Sequence, residues 1–158
     1  MSKKRKDVIV GAFLAVPLAV LNSPKYRALS GSAVKLLFDI ASQYNGKNNG
    51  DLSAAWKIMK PKGWRSEGTL DRAKKELLAA EFIDETRKGQ FPNTCSLYGL
   101  TFKALNPNPK LDVGPNGFAA GAWANLPRET KQKIAIATTK TVVEEPSTAT
   151  DMAVEEFA

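Results

Sequence analysis

The side chains that could do chemistry here are few, because the sequence contains no histidine and a single cysteine, Cys95. Without imidazole the chain lacks the usual general base near neutral pH, the Ser-His and Cys-His nucleophile pairings, and the commonest zinc ligand. A lone cysteine makes neither an internal disulfide nor a cysteine-rich metal site, so a zinc finger is excluded and the usage suits a reducing cytosol. The nearest approach to a phosphate-binding loop, Ala41-x-x-x-x-Gly46-Lys47-Asn48, lacks the first glycine and the Ser or Thr that would hold Mg²⁺, and reads as a turn. No Gly-x-Gly-x-x-Gly or Gly-x-Ser-x-Gly pattern is present. Asp84 and Glu85 are adjacent on an expected strand, point to opposite faces and cannot share a reacting atom. The expectation is a protein that is not an enzyme and that uses no metal or cofactor.

What remains is positive charge, and it is unevenly placed. The 158 residues carry 23 Lys+Arg against 16 Asp+Glu, a formal net charge of +7. Residues 1–104 hold 18 basic and 9 acidic side chains, and residues 105–158 hold 5 and 7. An anionic partner is favoured, and the first two-thirds of the chain would meet it. Within that part, Lys60, Lys62, Arg65, Ser66, Gly68, Thr69, Arg72 and Lys75 cluster around one segment, and Arg87, Lys88 and Gln90 around a second.

These residues need elements to position them. Over residues 30–44 the apolar side chains Ala33, Val34, Leu37, Ile40, Ala41 and Tyr44 recur every three or four positions, which predicts a helix capped by Ser30 or Ser32. The run Asn45-Gly46-Lys47-Asn48-Asn49-Gly50 stops it, and Asp51-Leu52-Ser53 makes a brief strand or cap. A short helix is expected over residues 53–59, with Ala55, Trp56 and Met59 facing inward, and Pro61-Lys62-Gly63 ends it. A third helix fits residues 66–80, with Leu70, Ala73, Leu77 and Leu78 on its core side. Its outward positions are then Arg65, Gly68, Arg72, Lys75 and Ala79, a small and basic face. Residues 82–87 and 94–102 read as two strands of a hairpin with a basic tip.

The ends differ in composition. Lys3-Lys4-Arg5-Lys6 followed by apolar residues up to Leu21 has the outline of a secretory signal. Asp7 breaks the junction, Pro17 sits within the run and no small-x-small site follows, so residues 1–12 are expected to be a basic arm leading into a buried strand or turn. The run is also too short to span a bilayer. From 106 to 117, Asn, Pro and Gly supply 8 of 12 residues, which predicts a linker and a domain boundary near Leu105. Residues 118–158 are expected to form a low-order tail, with Trp123 in a small apolar stretch, a short helix over 127–140 and an acidic end.

The order helix, short strand, short helix, longer helix, hairpin predicts an α+β class that is mainly α with a small β hairpin. The stretch from 13 to 105 resembles small winged helix-turn-helix DNA-binding proteins of bacteria, plasmids and phages, including the DNA-binding domains of replication initiators. The residues that carry the likeness are Ser23-Pro24-x-Tyr26-Arg27-Ala28-Leu29-Ser30, the passage from Tyr44-Asn45-Gly46 into Asp51-Leu52-Ser53, Leu77-x-x-x-x-Phe82-Ile83, and Tyr98-x-Leu100-Thr101. The turn Lys60-Pro61-Lys62-Gly63-Trp64 departs from the pattern. The resemblance implies that the third helix enters the major groove and the hairpin wing lies along the backbone or minor groove. Arg72 and Lys75 would then face base edges, and Arg65, Ser66 and Thr69 would hold phosphate at the start of the helix. Gly68 would permit close approach. Lys62, Arg87, Lys88 and Gln90, with Lys60, would add sequence-independent backbone contacts.

The expected role is a sequence-specific double-stranded DNA-binding regulator of transcription, of the repressor type, in the cytoplasm and off the membrane. It could form a homodimer through the N-terminal segment or the Trp123 region, and the 118–158 tail could engage a protein partner. One alternative keeps the fold: a plasmid or phage replication or partition factor binding repeated sites. Another belongs to a different class: a protein-interaction adaptor that reads no DNA. Outward Arg and Lys on an amphipathic helix are, taken alone, a solvated face. Trp56 and Trp64 are expected in the core or as a lid, and Cys95 as a buried or half-buried strand residue.

Overall fold

The computed structural model of the protein describes residues 11–124. Two helical turns come first, α1 (Leu18–Leu21) and α2 (Pro24–Arg27), then α3 (Gly31–Ala41), β1 (Leu52–Ser53) and α4 (Trp56–Met59), which runs into a 3-10 turn at Lys60–Lys62. They are followed by α5 (Glu67–Ala79), β2 (Ile83–Arg87), β3 (Leu97–Leu100) and a 3-10 turn at Ala122–Ala124. The fold is mixed α+β, with one antiparallel sheet in the order β1-β3-β2. Tyr98 of the central strand faces Leu52 on one side and Glu85 on the other. Among the described residues no helix is long and apolar enough to cross a membrane.

Helix α3 begins where the Ser30 hydroxyl accepts the Ala33 N–H at 3.2 Å, and it buries Ala33, Leu36, Leu37, Ile40 and Ala41. It stops three residues short of the expected end, and Leu36, not Val34 or Tyr44, completes the buried stripe. The reason lies just beyond it. The Gln43 amide pairs with the backbone of Ser53, donating to its carbonyl at 2.8 Å and accepting its N–H at 3.0 Å, which takes Gln43 out of the helix to hold β1.

Helix α5 is capped by Ser66, whose hydroxyl accepts from the Thr69 N–H, and it packs Leu70, Ala73 and Leu77 towards α3. At its far end Glu81 takes a φ of 62°, the Phe82 N–H reaches the Leu77 carbonyl and the Glu81 N–H reaches that of Leu78, each at 3.1 Å. This paired closure normally uses glycine at the left-handed position. It delivers Phe82, fully buried and edge-on to Tyr26 at 6.3 Å between ring centres, into the core with Leu36, Ile40 and Leu52.

The stretch before residue 23 contains a helical turn, α1, the turn of the two expected alternatives, with Val20 buried. Three expectations change. The short helix starts at Trp56, after an extended Ala55, and the departing turn at 60–64 is a 3-10 segment closed by Gly63 at a φ of 93°. Cys95 is exposed in the loop before β3, because the strand starts only at Leu97. Finally, residues 106–117 do not hang free and packing does not stop near Leu105.

Residues 106–124 form a strap against the sheet. The Asn106 N–H donates to the Asn49 carbonyl and the Asp112 N–H to that of Thr86, at 2.9 and 2.8 Å. The Ala119 N–H donates to the Asp84 carboxylate at 3.0 Å, and the Gly121 N–H to the Thr101 carbonyl at 2.7 Å. Phe118 is buried on Gly99, where an added Cβ would lie 2.7 Å from the ring, and Leu105 and Leu111 close over Gly50 in the same way. Glycine in a strand commonly marks such a close approach. Trp123 packs against the core, which is a use within the chain for the segment considered for dimer contact. The basic arm before residue 11 and the tail from 125, with its expected helix and acidic end, lie outside the described residues.

Candidate functional site

Opposite the buried Leu70, Ala73 and Leu77 of α5, the residues Gly68, Arg72, Lys75 and Ala79 are all exposed, spaced four, three and four apart along one line. The 3.6-residue repeat that turns the apolar stripe inward turns these outward. Arg65, just before the cap, is exposed as well. The face is not uniformly basic. Asp71 lies beside it and pairs with Lys75 at 2.8 Å and with Lys74 at 3.3 Å, and those two ammonium groups hold its carboxyl below the usual carboxylate range. Arg72 donates to the Thr69 hydroxyl at 3.3 Å and, like Arg65, has no acidic partner among the described residues.

The start of α5 is partly spoken for. The Ser66 hydroxyl serves as cap to Thr69, which leaves the Glu67 and Gly68 N–H groups without intrahelical acceptors. Glu67 supplies an acid in the first turn, where it complements the helix dipole and competes with any phosphate there. Gly68 has open space around it, the nearest atom to an added Cβ being the Ser66 hydroxyl at 3.6 Å.

The hairpin holds the second cluster. Strand β2 is bulged between Glu85 and Arg87, with Thr86 buried and bonded to the Gly50 carbonyl. Beyond the bulge the Arg87 guanidinium donates to the Cys95 carbonyl at 2.9 Å, bracing one arm against the other. Lys88 and Gln90 are exposed, while the Lys88 N–H is taken by Asp112 of the strap at 2.9 Å. Gln90 and Thr94 exchange backbone hydrogen bonds, both 2.9 Å, and close the tip. Burial raises the Tyr98 pKa above 10.0, a hydrogen bond with Ser96 opposes the rise, and the negative charges of Glu85 on the hairpin and Asp71 on α5 add to it.

Lys62 is separate from these. Its ammonium donates to the Ser42 hydroxyl at 3.0 Å, at the end of α3. The sequence reading missed Lys35, which reaches the same turn. It donates to the Lys62 carbonyl at 2.9 Å and lies 5.1 Å from the centre of the Trp64 ring, whose indole N–H is held by Asp39 at 2.8 Å. With Ser32, Gly63, Trp64, Arg65, Ser66 and Thr69, it lines an open depression beside the start of α5. The signal was present: Lys35 follows Ser32 by three positions on the exposed side of a legible helix. A second open depression lies between α4 and α5, with Trp56, Glu67, Gly68, Asp71 and Lys74 on its wall.

Among the described residues the arrangement offers exposed hydrogen-bond donors to an anion and brings no nucleophile together with a base. Comparisons with protein-family models, with characterised proteins and with solved structures find no match for this chain.

Proposed function

We propose that this protein binds double-stranded DNA sequence-specifically as a winged helix-turn-helix module and regulates transcription from the sites it reads. In this reading α5 enters the major groove and the β2–β3 hairpin is the wing on the backbone. The observation that carries it is the line Gly68, Arg72, Lys75, Ala79 along α5, with no large apolar side chain in it, directly opposite the stripe packed towards α3. The element order α3, β1, α4, α5, β2, β3 and the basic hairpin support the same reading.

Arg72 is the base-reading candidate, because among the described residues its guanidinium is bonded only to a threonine hydroxyl and can present a bidentate fork to guanine O6 and N7. Lys88 and Arg65 are backbone contacts. Lys75 is shared with Asp71 and contributes by exchanging that carboxylate for a phosphate. Lys62 and Arg87 are braces first, tied to Ser42 and to Cys95.

The test is to capture fragmented DNA of the source at near-physiological salt and sequence what is retained. Expected are a few enriched sites sharing a motif, near promoters. Arg72→Ala weakens them by roughly 1 to 3 kcal/mol and relaxes one base position, while Lys88→Ala weakens all sequences alike and lowers the salt slope by about one. Equal losses on specific and random DNA from both changes would remove the major-groove assignment. Repeated sites at an origin would turn the reading to a replication factor, and no retention would turn it to a protein adaptor.

A further inference from the structure

Phe91 stands at the tip of the hairpin with its whole side chain in solvent, 100% exposed, between Gln90 and Pro92. Single exposed apolar residues are ordinary on protein surfaces, so exposure alone decides nothing. Two further observations do. The tip is built to hold this ring outward. The Gln90–Thr94 backbone pair leaves only Phe91, Pro92 and Asn93 beyond it, all three exposed. Below that pair Gly89 lets the arms close, since a Cβ there would lie 2.8 Å from the Ser96 nitrogen, and its N–H donates to the Ser96 hydroxyl at 3.0 Å. Arg87 spans the arms, and Asp112 of the strap fixes the Lys88 N–H. The second observation is charge. Arg87 and Lys88 lie together on the arm that leads to the tip, residues 87–97 contain no acid, and among the described residues the one carboxylate placed against them is that of Asp112 at the Lys88 N–H. An aromatic ring carried on a narrow, braced and basic arm suits an anionic partner that also offers flat apolar surfaces to stack on. DNA offers both.

We propose that Phe91 is a wedge which the wing inserts between base pairs from the minor groove, partly unstacking them and bending the duplex. The inference rests on the DNA-binding reading above and adds to it a mode of contact and a distortion. Pro92 follows with a second apolar face and no N–H to desolvate. Side chains of this kind, inserted at a base step, open the stack and unwind the duplex locally.

Unwinding can be read without knowing the binding site. A closed-circular plasmid is relaxed by a type I topoisomerase in the presence of the protein, deproteinised, and its topoisomers are separated. Bound wild-type protein is expected to leave the plasmid underwound in proportion to occupancy. Phe91→Ala is expected to bind about tenfold more weakly and, when added to matched occupancy, to leave the topoisomer distribution unshifted. Phe91→Leu, which keeps an apolar wedge, is expected to retain most of the shift. All three should melt at the same temperature, since the ring touches none of the core. An equal shift from Phe91→Ala, or none from fully bound wild-type protein, overturns the wedge while leaving major-groove reading intact. Wild-type protein that does not retain the plasmid at all overturns both.

Discussion

Asp71 is the residue that most directly tunes the proposed interface, because it sets a negative charge among Arg72, Lys74 and Lys75. Any phosphate approaching Lys75 must displace that carboxylate. Asp71→Asn is therefore expected to tighten DNA binding severalfold and to steepen the dependence of log K on log salt by up to about one, as Lys75 becomes available to phosphate. Fluorescence anisotropy across a salt series would show this, and unchanged affinity would mean that Lys75 contacts no phosphate in the complex. Because the lysines hold the Asp71 carboxyl below its ordinary value of 3.8, this restraint is present across the neutral range and relaxes only in acid. Tyr98 makes the opposite pH prediction. Its folded pKa is raised above 10.0, so the folded state holds the phenolic proton more tightly than the unfolded chain. The stability tied to that proton is complete below about pH 10 and is lost as pH rises through the folded value. Thermal melting at pH 9 and pH 11 is expected to show a larger loss for the wild type than for Tyr98→Phe, and equal losses would mean that the hydroxyl titrates in water.

At the scale of elements, α5 does two jobs, and its inner edge is as specific as its outer one. The Glu76 carboxylate accepts both the N–H and the hydroxyl of Ser30, at 2.6 and 2.7 Å, so α5 closes the start of α3 much as a capping box would within one helix. Glu76→Ala is expected to cost about 1 to 2 kcal/mol by leaving the Ser30 N–H without its partner. At the end of the same helix, Glu81 occupies a left-handed position and pairs with Lys25 at 2.6 Å. The Lys25 side chain is only 13% exposed but keeps the Ala122 carbonyl at 3.3 Å when Glu81, itself 47% exposed, is removed, so relief of backbone strain is expected to outweigh the lost pair and Glu81→Gly to stabilise by up to about 1 kcal/mol. Urea titrations of both variants would decide, and a destabilised Glu81→Gly would mean that the Lys25 pair dominates. These contacts also mark where sequence reading stops. The starts of α3 and α5 and the extent of α5 were legible because Ser30, Ser66 and the apolar repeat are local signals, and they placed Arg72 and Lys75 outward, whereas the end of α3 and the place of Leu36 in its buried stripe were not. The Ser23-Pro24 start of α2 was equally visible, but it entered only among the residues that carry the winged-helix likeness. Lys35 at the Lys62 carbonyl, Glu76 on Ser30 and the redirected Lys62 depend on partners 27, 46 and 20 positions away, which no local pattern encodes.

For the molecule as a whole, the segment whose composition reads as a linker is the one that closes the sheet. Asn, Pro and Gly predict irregular backbone, and the backbone is irregular. What composition cannot say is that Gly50 and Gly99, far apart in sequence, leave a flat seam on which Leu105, Leu111 and Phe118 settle. Asn49 pins the seam, donating its side-chain amide to the Leu100, Lys103 and Ala104 carbonyls and accepting the Leu100 N–H at 2.7 Å, with no exposure to solvent. A chain cut after residue 105 loses Phe118, Ala122, Trp123 and the four strap N–H donors, and it bares β3, which is buried along its whole length. Full burial of one Phe side chain is worth roughly 1.5 to 3 kcal/mol, against a total stability of about 5 to 15 kcal/mol for a domain. Residues 1–105 are therefore expected to melt roughly 10 °C or more below residues 1–124, and the gap should shrink in Gly99→Val, where the added side chain pushes Phe118 off the strand. Calorimetry on the two truncations would settle it. Equal melting temperatures would mean that the strap adds no stability to the sheet it covers, and the β2–β3 hairpin, whose Lys88 N–H is held by Asp112, would lose one of its supports with it.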